Sequence, residues 1–212
     1  MYVKELWRYP VKSMAGERVE RIVVGKEGLA RDRQVLVGDG RGRIVTARTH
    51  PGLLGLRGTV DAEGVVRISG HRWDSAEALE LVKAAAGGDA RLLAYAGAAR
   101  FDVLPLLVAT DGAIAHMGFD GRRLRPNLVV GGVEGLAERE WEGRPLQAGE
   151  ALLLPEQLRG RCVMTTYDPD TPRQDLTVLR RIVKELGGTM GLDTSVIRGG
   201  VIRVGDAVEL RG

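Results

Sequence analysis

Short runs rich in valine, isoleucine and leucine recur along the whole chain, separated by turn residues that include many of its 30 glycines. Bulky aliphatic side chains fit a pleated surface, and glycine reaches turn conformations closed to other residues, so runs of this kind form strands. The expected strands are 2–7, 19–24, 34–38, 43–47, 56–60, 65–68, 91–94, 104–109, 128–130, 150–154, 161–166, 194–198 and 207–210. Gly40, Gly42, Gly64, Gly199 and Gly200 fall between them as expected turn positions. This spacing favours small barrels or sandwiches over a parallel α/β sheet, and the expected fold class is mainly β with a few helices.

Three helices are expected. Asp74 followed by Glu77 reads as a capping pair before a helix over 76–86, and Asp111 begins a short helix through Met117. The third runs from about Gln174 to Leu186, with Leu176, Leu179, Ile182, Val183 and Leu186 as its apolar stripe, and Gly187-Gly188 ends it. A chain of 212 residues encloses a substantial core. The alanine- and glycine-rich stretch 84–99 is the expected boundary between two parts, 1–95 and 96–212.

No apolar run approaches the ~18 residues of a membrane span, and Met1-Tyr2-Val3-Lys4-Glu5 lacks a signal peptide's apolar stretch. A cytoplasmic protein without a membrane partner is the expectation. The single cysteine, Cys162, excludes an internal disulfide, a zinc site of several thiolates and an iron–sulfur cluster held by the chain's own thiols. Of 31 basic residues five are lysine, leaving 26 arginines, the cation suited to planar, multidentate anions. Outside motifs, a genomic or thermal bias toward arginine accounts for them equally well. Three tryptophans, four tyrosines and two phenylalanines offer little stacking surface, and the arginines alternate with acids, so no nucleic-acid partner is expected.

The strongest local feature is Arg159-Gly160-Arg161-Cys162-Val163-Met164-Thr165-Thr166, followed by Asp168-Pro169-Asp170-Thr171. Neighbouring cations favour the thiolate, the form that binds soft metals, and the acidic turn places the thiol near a strand end. The alternative is an inert core cysteine. Tyr9 to Met14, Leu29 to Arg33 and Thr46 to Arg48 each lie beside a strand end, where side chains and backbone N–H groups face anions; each is equally a solvated loop or an internal Arg–Asp pair. Arg122, Arg123 and Arg125 precede Asn127, the chain's one asparagine, whose amide serves either a specific hydrogen bond or a turn at a strand entrance. Asp32 and Asp168 are candidates to handle protons or support the site from behind, but the favoured reading is that each orients an arginine or caps a turn. His50 and His116 are further candidates to relay protons, but no spacing sets them apart from surface or packing histidines.

In order, Tyr9-Pro10-Val11-Lys12-Ser13, Leu29-Ala30-Arg31-Asp32-Arg33, Val45-Thr46-Ala47-Arg48, Arg125-Pro126-Asn127, Arg161 to Thr166 with Asp168-Pro169-Asp170, and Val204-Gly205-Asp206-Ala207-Val208 resemble the MOSC proteins. More narrowly, the chain resembles the branch with an N-terminal MOSC β-barrel domain, to which the mitochondrial amidoxime-reducing component belongs. Order and spacing agree from about residue 3 to 210.

The resemblance implies a two-part β-barrel architecture, with an N-terminal domain over 1–95 and a MOSC domain over 96–212, and a molybdenum cofactor (molybdenum–molybdopterin) between the parts. It implies Cys162 as the metal ligand of the catalytic site. Lys12, Ser13, Arg31, Arg48, Arg125 and Asn127 are the implied contacts to the pterin or its phosphate. Gly160 departs from the serine that the amidoxime-reducing proteins place two residues before the cysteine. The implied activity is reduction of small N-hydroxylated or N-oxide-type substrates. Lacking a membrane anchor and a ferredoxin-like domain, the chain is expected to take electrons from a separate electron-transfer protein. Two other readings stay open: a sulfur carrier with a Cys162 persulfide, and a non-catalytic cofactor-binding protein. With five lysines and no Schiff-base motif, pyridoxal phosphate is not expected.

Overall fold

Alternation shows first in Arg21–Gly25, where Ile22 and Val24 are buried while Arg21, Val23 and Gly25 face solvent. Leu106–Thr110 differs in being buried throughout. Its Leu106 and Val108 enter one core, and its Leu107 and Ala109 enter another on the opposite face. The structure, a computed structural model, describes residues 1–97 and 100–211.

The largest sheet has eight strands, in the order Val208–Leu210, Leu146–Ala148, Ala151–Gly160, Thr189–Arg198, Leu106–Thr110, Leu128–Gly131, Tyr2–Arg8 and Glu17–Val19. Neighbours are antiparallel except Leu106–Thr110 and Leu128–Gly131, which run parallel. Three further sheets have three strands each: Arg91–Ala94, Val35–Gly38 and Ile44–Val45; Gly200–Arg203, Arg21–Gly25 and Gly28–Leu29; and Gly58–Val60, Val66–Ile68 and His71–Arg72. The fold is mainly β with three α-helices among the described residues, α1 (Ala76–Ala86), α2 (Asp111–Met117) and α3 (Leu176–Leu186). No helix among them is long and apolar enough to cross a membrane.

Both parts of the chain build the main core. Val3, Leu6, Ile22, Val24 and Leu29 pack with Leu106, Val108, Leu146, Leu153, Leu192 and Val208. A second core gathers Val11, Met14, Val35, Val37, Leu53, Ile68 and Val82, with Met164 and Tyr167 packed against it from the far end of the sequence. Each fully buried aliphatic side chain stabilises by about 1.5–3 kcal/mol. These shared cores fix the two parts against each other around the cavity described below.

Several expected elements differ. Residues 161–166 are not a strand: Ala151–Gly160 ends before them, and Val163–Thr166 forms a 3-10 turn in which the Thr165 N–H and hydroxyl donate to the Cys162 carbonyl at 3.1 and 2.9 Å. Residues 19–24 divide between two sheets. The short strands Gly28–Leu29, His71–Arg72, Leu146–Ala148 and Gly200–Arg203 were not foreseen. Ser75, not Asp74, caps α1 by accepting from the Ala78 N–H, while Asp74 pairs with Arg72. In α3 the buried line is Val178, Ile182 and Leu186; Leu176 and Val183, two members of the expected stripe, are exposed, and Val178 is buried in their stead. Within 84–99, α1 continues to Ala86 and Arg91–Ala94 pairs with Val35–Gly38; Ala98 and Ala99 lie outside the described residues. Gly42 and Gly64 adopt positive φ as expected of turns. Gly199 and Gly200 instead allow close approach, since an added Cβ would lie 2.5 Å from the Val24 carbonyl oxygen and 2.7 Å from Glu150, respectively.

Candidate functional site

A cavity of about 360 Å³ opens where turns of the N-terminal part meet the end of Ala151–Gly160. Lys12 and Ser13 enter from the turn that follows Val11, which bridges Val35; the Lys12 N–H donates to the Val35 carbonyl at 2.9 Å. Thr46 and Arg48 follow Ile44–Val45, and Arg33 follows the Leu29 turn. From the C-terminal part come Leu124 and Arg125, the run Gln157 to Cys162 excepting Leu158, Met164 and Asp193. The connection Phe101 to Leu104 lies along the side. Six non-glycine residues among those described have positive φ, and Ser13, Arg33 and Arg125 of these line the cavity. Such backbone persists only where surrounding structure enforces it, and it gathers at ligand sites.

The lining carries six cations, Lys12, Arg33, Arg48, Arg125, Arg159 and Arg161, against two carboxylates, Asp102 and Asp193. Asp193 is buried and accepts from Arg159 Nη1 at 2.6 Å and Gln157 Nε2 at 3.3 Å. Asp102 contacts Lys12 Nζ at 2.9 Å, Arg48 Nη2 at 2.6 Å and Arg159 Nη2 at 3.8 Å. Burial opposes ionisation of Asp102, but these cations prevail and hold its carboxyl below the usual range. Arg48 moves upward: burial acts against it, and Cys162 and Asp102 overcome that.

Arg125 and Arg161 are enclosed, and loss of water pushes both down to about 10. Arg161 Nη2 donates to the Leu124 carbonyl at 2.8 Å, but its buried Nε has no acceptor among the described residues. A buried guanidinium N–H without a partner is costly, and an anion in the cavity would relieve it. Arg33 and Arg125 lie over the Tyr9 ring at 5.3 and 4.3 Å. Burial raises that phenol to about 12, with Arg125 opposing.

Cys162 lines the same cavity, half-buried and in extended backbone just beyond the strand end. Among the described residues no cluster of three or more His, Cys, Asp or Glu could hold a metal. A metal at Cys162 would therefore draw its other ligands from a cofactor. At Gly160 an added Cβ would meet no heavy atom within 4 Å, so the cavity is open there. The unpaired Arg161 Nε, the cationic lining, the lone thiol and this open position together fit an anionic pterin bearing a soft metal.

Of the expected site residues, Lys12, Ser13, Arg48, Arg125 and Cys162 come together at the cavity. Arg31 stands outside it, exposed, with Nη1 donating to Gln34 Oε1 at 3.3 Å; Arg33, two residues on, takes the place in the wall. Asn127 is also absent from the lining. Its buried amide accepts from the Leu107 N–H at 3.1 Å and donates to the Trp7 carbonyl and Asp32 Oδ2, each at 3.3 Å. Asp32 in turn accepts from the Tyr9 N–H at 2.7 Å and binds Arg33, so it orients an arginine as expected. Asp168 caps its turn through Asp170 and Thr171 and pairs with Arg123. His50 contacts Thr49, and His116 faces Glu185, neither at the cavity. Arg159 and Arg161 were visible as neighbours of the cysteine, and Arg33 shares a motif with Arg31. Nothing local marks Asp102 or Asp193.

Family profiles match two consecutive segments, the MOSC N-terminal beta barrel domain over residues 1–95 and the MOSC domain over residues 104–209. Human mitochondrial amidoxime-reducing component 1 is 25% identical over 227 aligned residues, covering 80% of this chain and 67% of its own length. Human mitochondrial amidoxime reducing component 2 is 30% identical over 126 residues, covering 50% of this chain and 37% of its own; this match spans little more than a third of that relative. Among solved structures, the YUAD protein from Bacillus subtilis superimposes with a TM-score of 0.54 at 16% identity, over 98% of this chain and 93% of that one, a likeness of fold. With the two profiles spanning nearly its whole length, this chain belongs to the MOSC family, in the form that joins an N-terminal beta barrel domain to a MOSC domain.

Proposed function

We propose that this protein is a molybdenum-cofactor-dependent reductase of small N-hydroxylated or N-oxide-type compounds. The reading is supported by a lone thiol opening into a cavity walled by six cations, in a chain related to proteins named for reducing amidoximes. Cys162 Sγ would hold the metal. Lys12, Ser13, Arg48 and Arg125, joined by Arg33 and Arg161, would bind the pterin and its phosphate through forked, charge-assisted hydrogen bonds. Asn127 and Asp32 would act from behind by fixing Tyr9 and Arg33.

When bound, such a cofactor supplies a two-electron centre suited to taking oxygen from nitrogen. Two electrons from a separate protein and two protons from solvent convert an N–OH group to N–H and water. Phe101, Val103, Leu104 and Leu107 give the cavity an apolar side that would exclude water from the reacting bond and pack against the substrate's carbon frame.

The test is metal and pterin content of protein from a molybdenum-competent host, beside Cys162→Ser. Stoichiometric molybdenum, its loss in the variant and reduction of a hydroxylamine with an artificial donor are expected. Absence of molybdenum and pterin from the unaltered protein overturns the reading, and cyanide-releasable sulfur on metal-free protein would turn it toward sulfur transfer.

A further inference from the structure

Asp102 belongs to neither motif nor strand. It lies in the connection between Arg91–Ala94 and Leu106–Thr110, yet its carboxylate is the common partner of Lys12 and Arg48, from two separate turns, and of Arg159, from the strand Ala151–Gly160. Arg159 has Asp193 as a second, closer carboxylate, and Lys12 also donates to the Arg100 carbonyl at 3.0 Å. Among the described residues Arg48 has no other carboxylate within ion-pair distance. Arg100, next to Asp102, anchors the connection by donating to the Ala96 and Glu27 carbonyls at 2.8 and 2.9 Å. Like-charged groups drawn this close repel unless an anion sits among them, and Asp102 is that anion. Because it is tethered, it competes with any free anion at high effective concentration.

We infer that Asp102 is a built-in counterion that occupies an oxyanion site formed by Lys12, Arg48 and Arg159, and that a phosphate-type ligand binds there by displacing it. The inference shares Lys12 and Arg48 with the reductase reading and adds Asp102 as their resident anion, and it holds whether or not the cavity carries a metal. Its consequence is selectivity: only an anion able to satisfy these cations better than a single carboxylate gains entry. A tetrahedral dianion offers more acceptor oxygens than Asp102 does.

The test uses metal-free protein titrated calorimetrically with inorganic phosphate at low ionic strength, with Asp102→Asn alongside. If the wild-type site is free of its own carboxylate about a tenth of the time, the variant binds phosphate about tenfold more tightly. Nuclear relaxation of the backbone amides of residues 102–104 in wild-type protein supplies a readout that needs no variant. Phosphate should increase their mobility where chloride at equal ionic strength does not. Equal or weaker phosphate binding by Asp102→Asn, no phosphate binding by either protein, or unchanged mobility of 102–104 on wild-type saturation overturns the inference.

Discussion

Leu6, Leu146, Leu153 and Leu192 are wholly buried within the apolar main core, whereas the cavity wall sets six cations against two carboxylates on strained turns. The core draws its stability from area removed from water, a non-directional force that tolerates exchange of one aliphatic side chain for another of equal volume. The wall draws little from that source. Arg125 and Arg161 are held there without full compensation, Arg161 with an unpaired N–H, and Ser13, Arg33 and Arg125 sit in backbone conformations that favour glycine. A protein sustains such a wall only when the cores around it are rigid enough to enforce it. Stability and binding are thus assigned to different residues, and substitutions should separate them.

The largest expected effect lies in the core. Leu192→Ala removes a fully buried side chain from the strand that pairs with both Leu106–Thr110 and Ala151–Gly160, and should destabilise the fold by about 2–5 kcal/mol. Measured by denaturant unfolding, that loss should come with phosphate affinity within twofold of wild type, roughly the scatter of such titrations, under conditions where the variant is folded. A matching fall in affinity would mean that the core tunes the wall directly and would break the division.

Asn127→Ala tests the seam between the two regions. The substitution strips an acceptor from the buried Leu107 N–H and a donor from Asp32, a loss of about 1–3 kcal/mol. Unlike Leu192→Ala it should also weaken cofactor affinity, read as molybdenum and pterin retained by protein from a molybdenum-competent host, by about tenfold if Asp32 ceases to fix Arg33, as for other residues that orient a ligand from behind. A stability loss with unchanged affinity would confine Asn127 to the scaffold.

The same division governs what could be read in the sequence. Strands such as Arg21–Gly25 announce themselves because burial imposes a period of two on several consecutive residues. The strand Gly28–Leu29, with two residues, is too short to carry a period. Residues 161–166 had a strand's composition, but Val163 and Met164 sit in a tight turn closed by Thr165, a local hydrogen bond that composition does not reveal. Cys162, Lys12, Ser13, Arg48 and Arg125 were legible as motif residues, and the fold brings them to one cavity. The choice between Arg31 and Arg33 depends on which side of Asp32 the turn points, which left-handed backbone at both positions decides. Asp102 carries no signal at all, since its partners lie at residues 12, 48 and 159 and only packing brings them together.

The smallest effect on stability is expected at Gly160, and there the comparison is sharpest. Gly160 pairs with Thr189 at the end of its strand, its φ lies outside the left-handed region, and a new Cβ meets nothing within 4 Å. Gly160→Ser should therefore shift unfolding free energy by no more than about 0.5 kcal/mol. Its hydroxyl would stand in the wall two residues before Cys162 and beside Arg161, where it can donate to a bound phosphate. One added neutral hydrogen bond contributes about 0.5–1.5 kcal/mol, so phosphate should bind between about twofold and tenfold more tightly. Leu192→Ala and Gly160→Ser then form opposite corners, one changing stability without affinity and the other affinity without stability. A Gly160→Ser protein destabilised by more than about 1 kcal/mol would show that the wall at this point is as tightly packed as the core, contrary to the open space around Gly160.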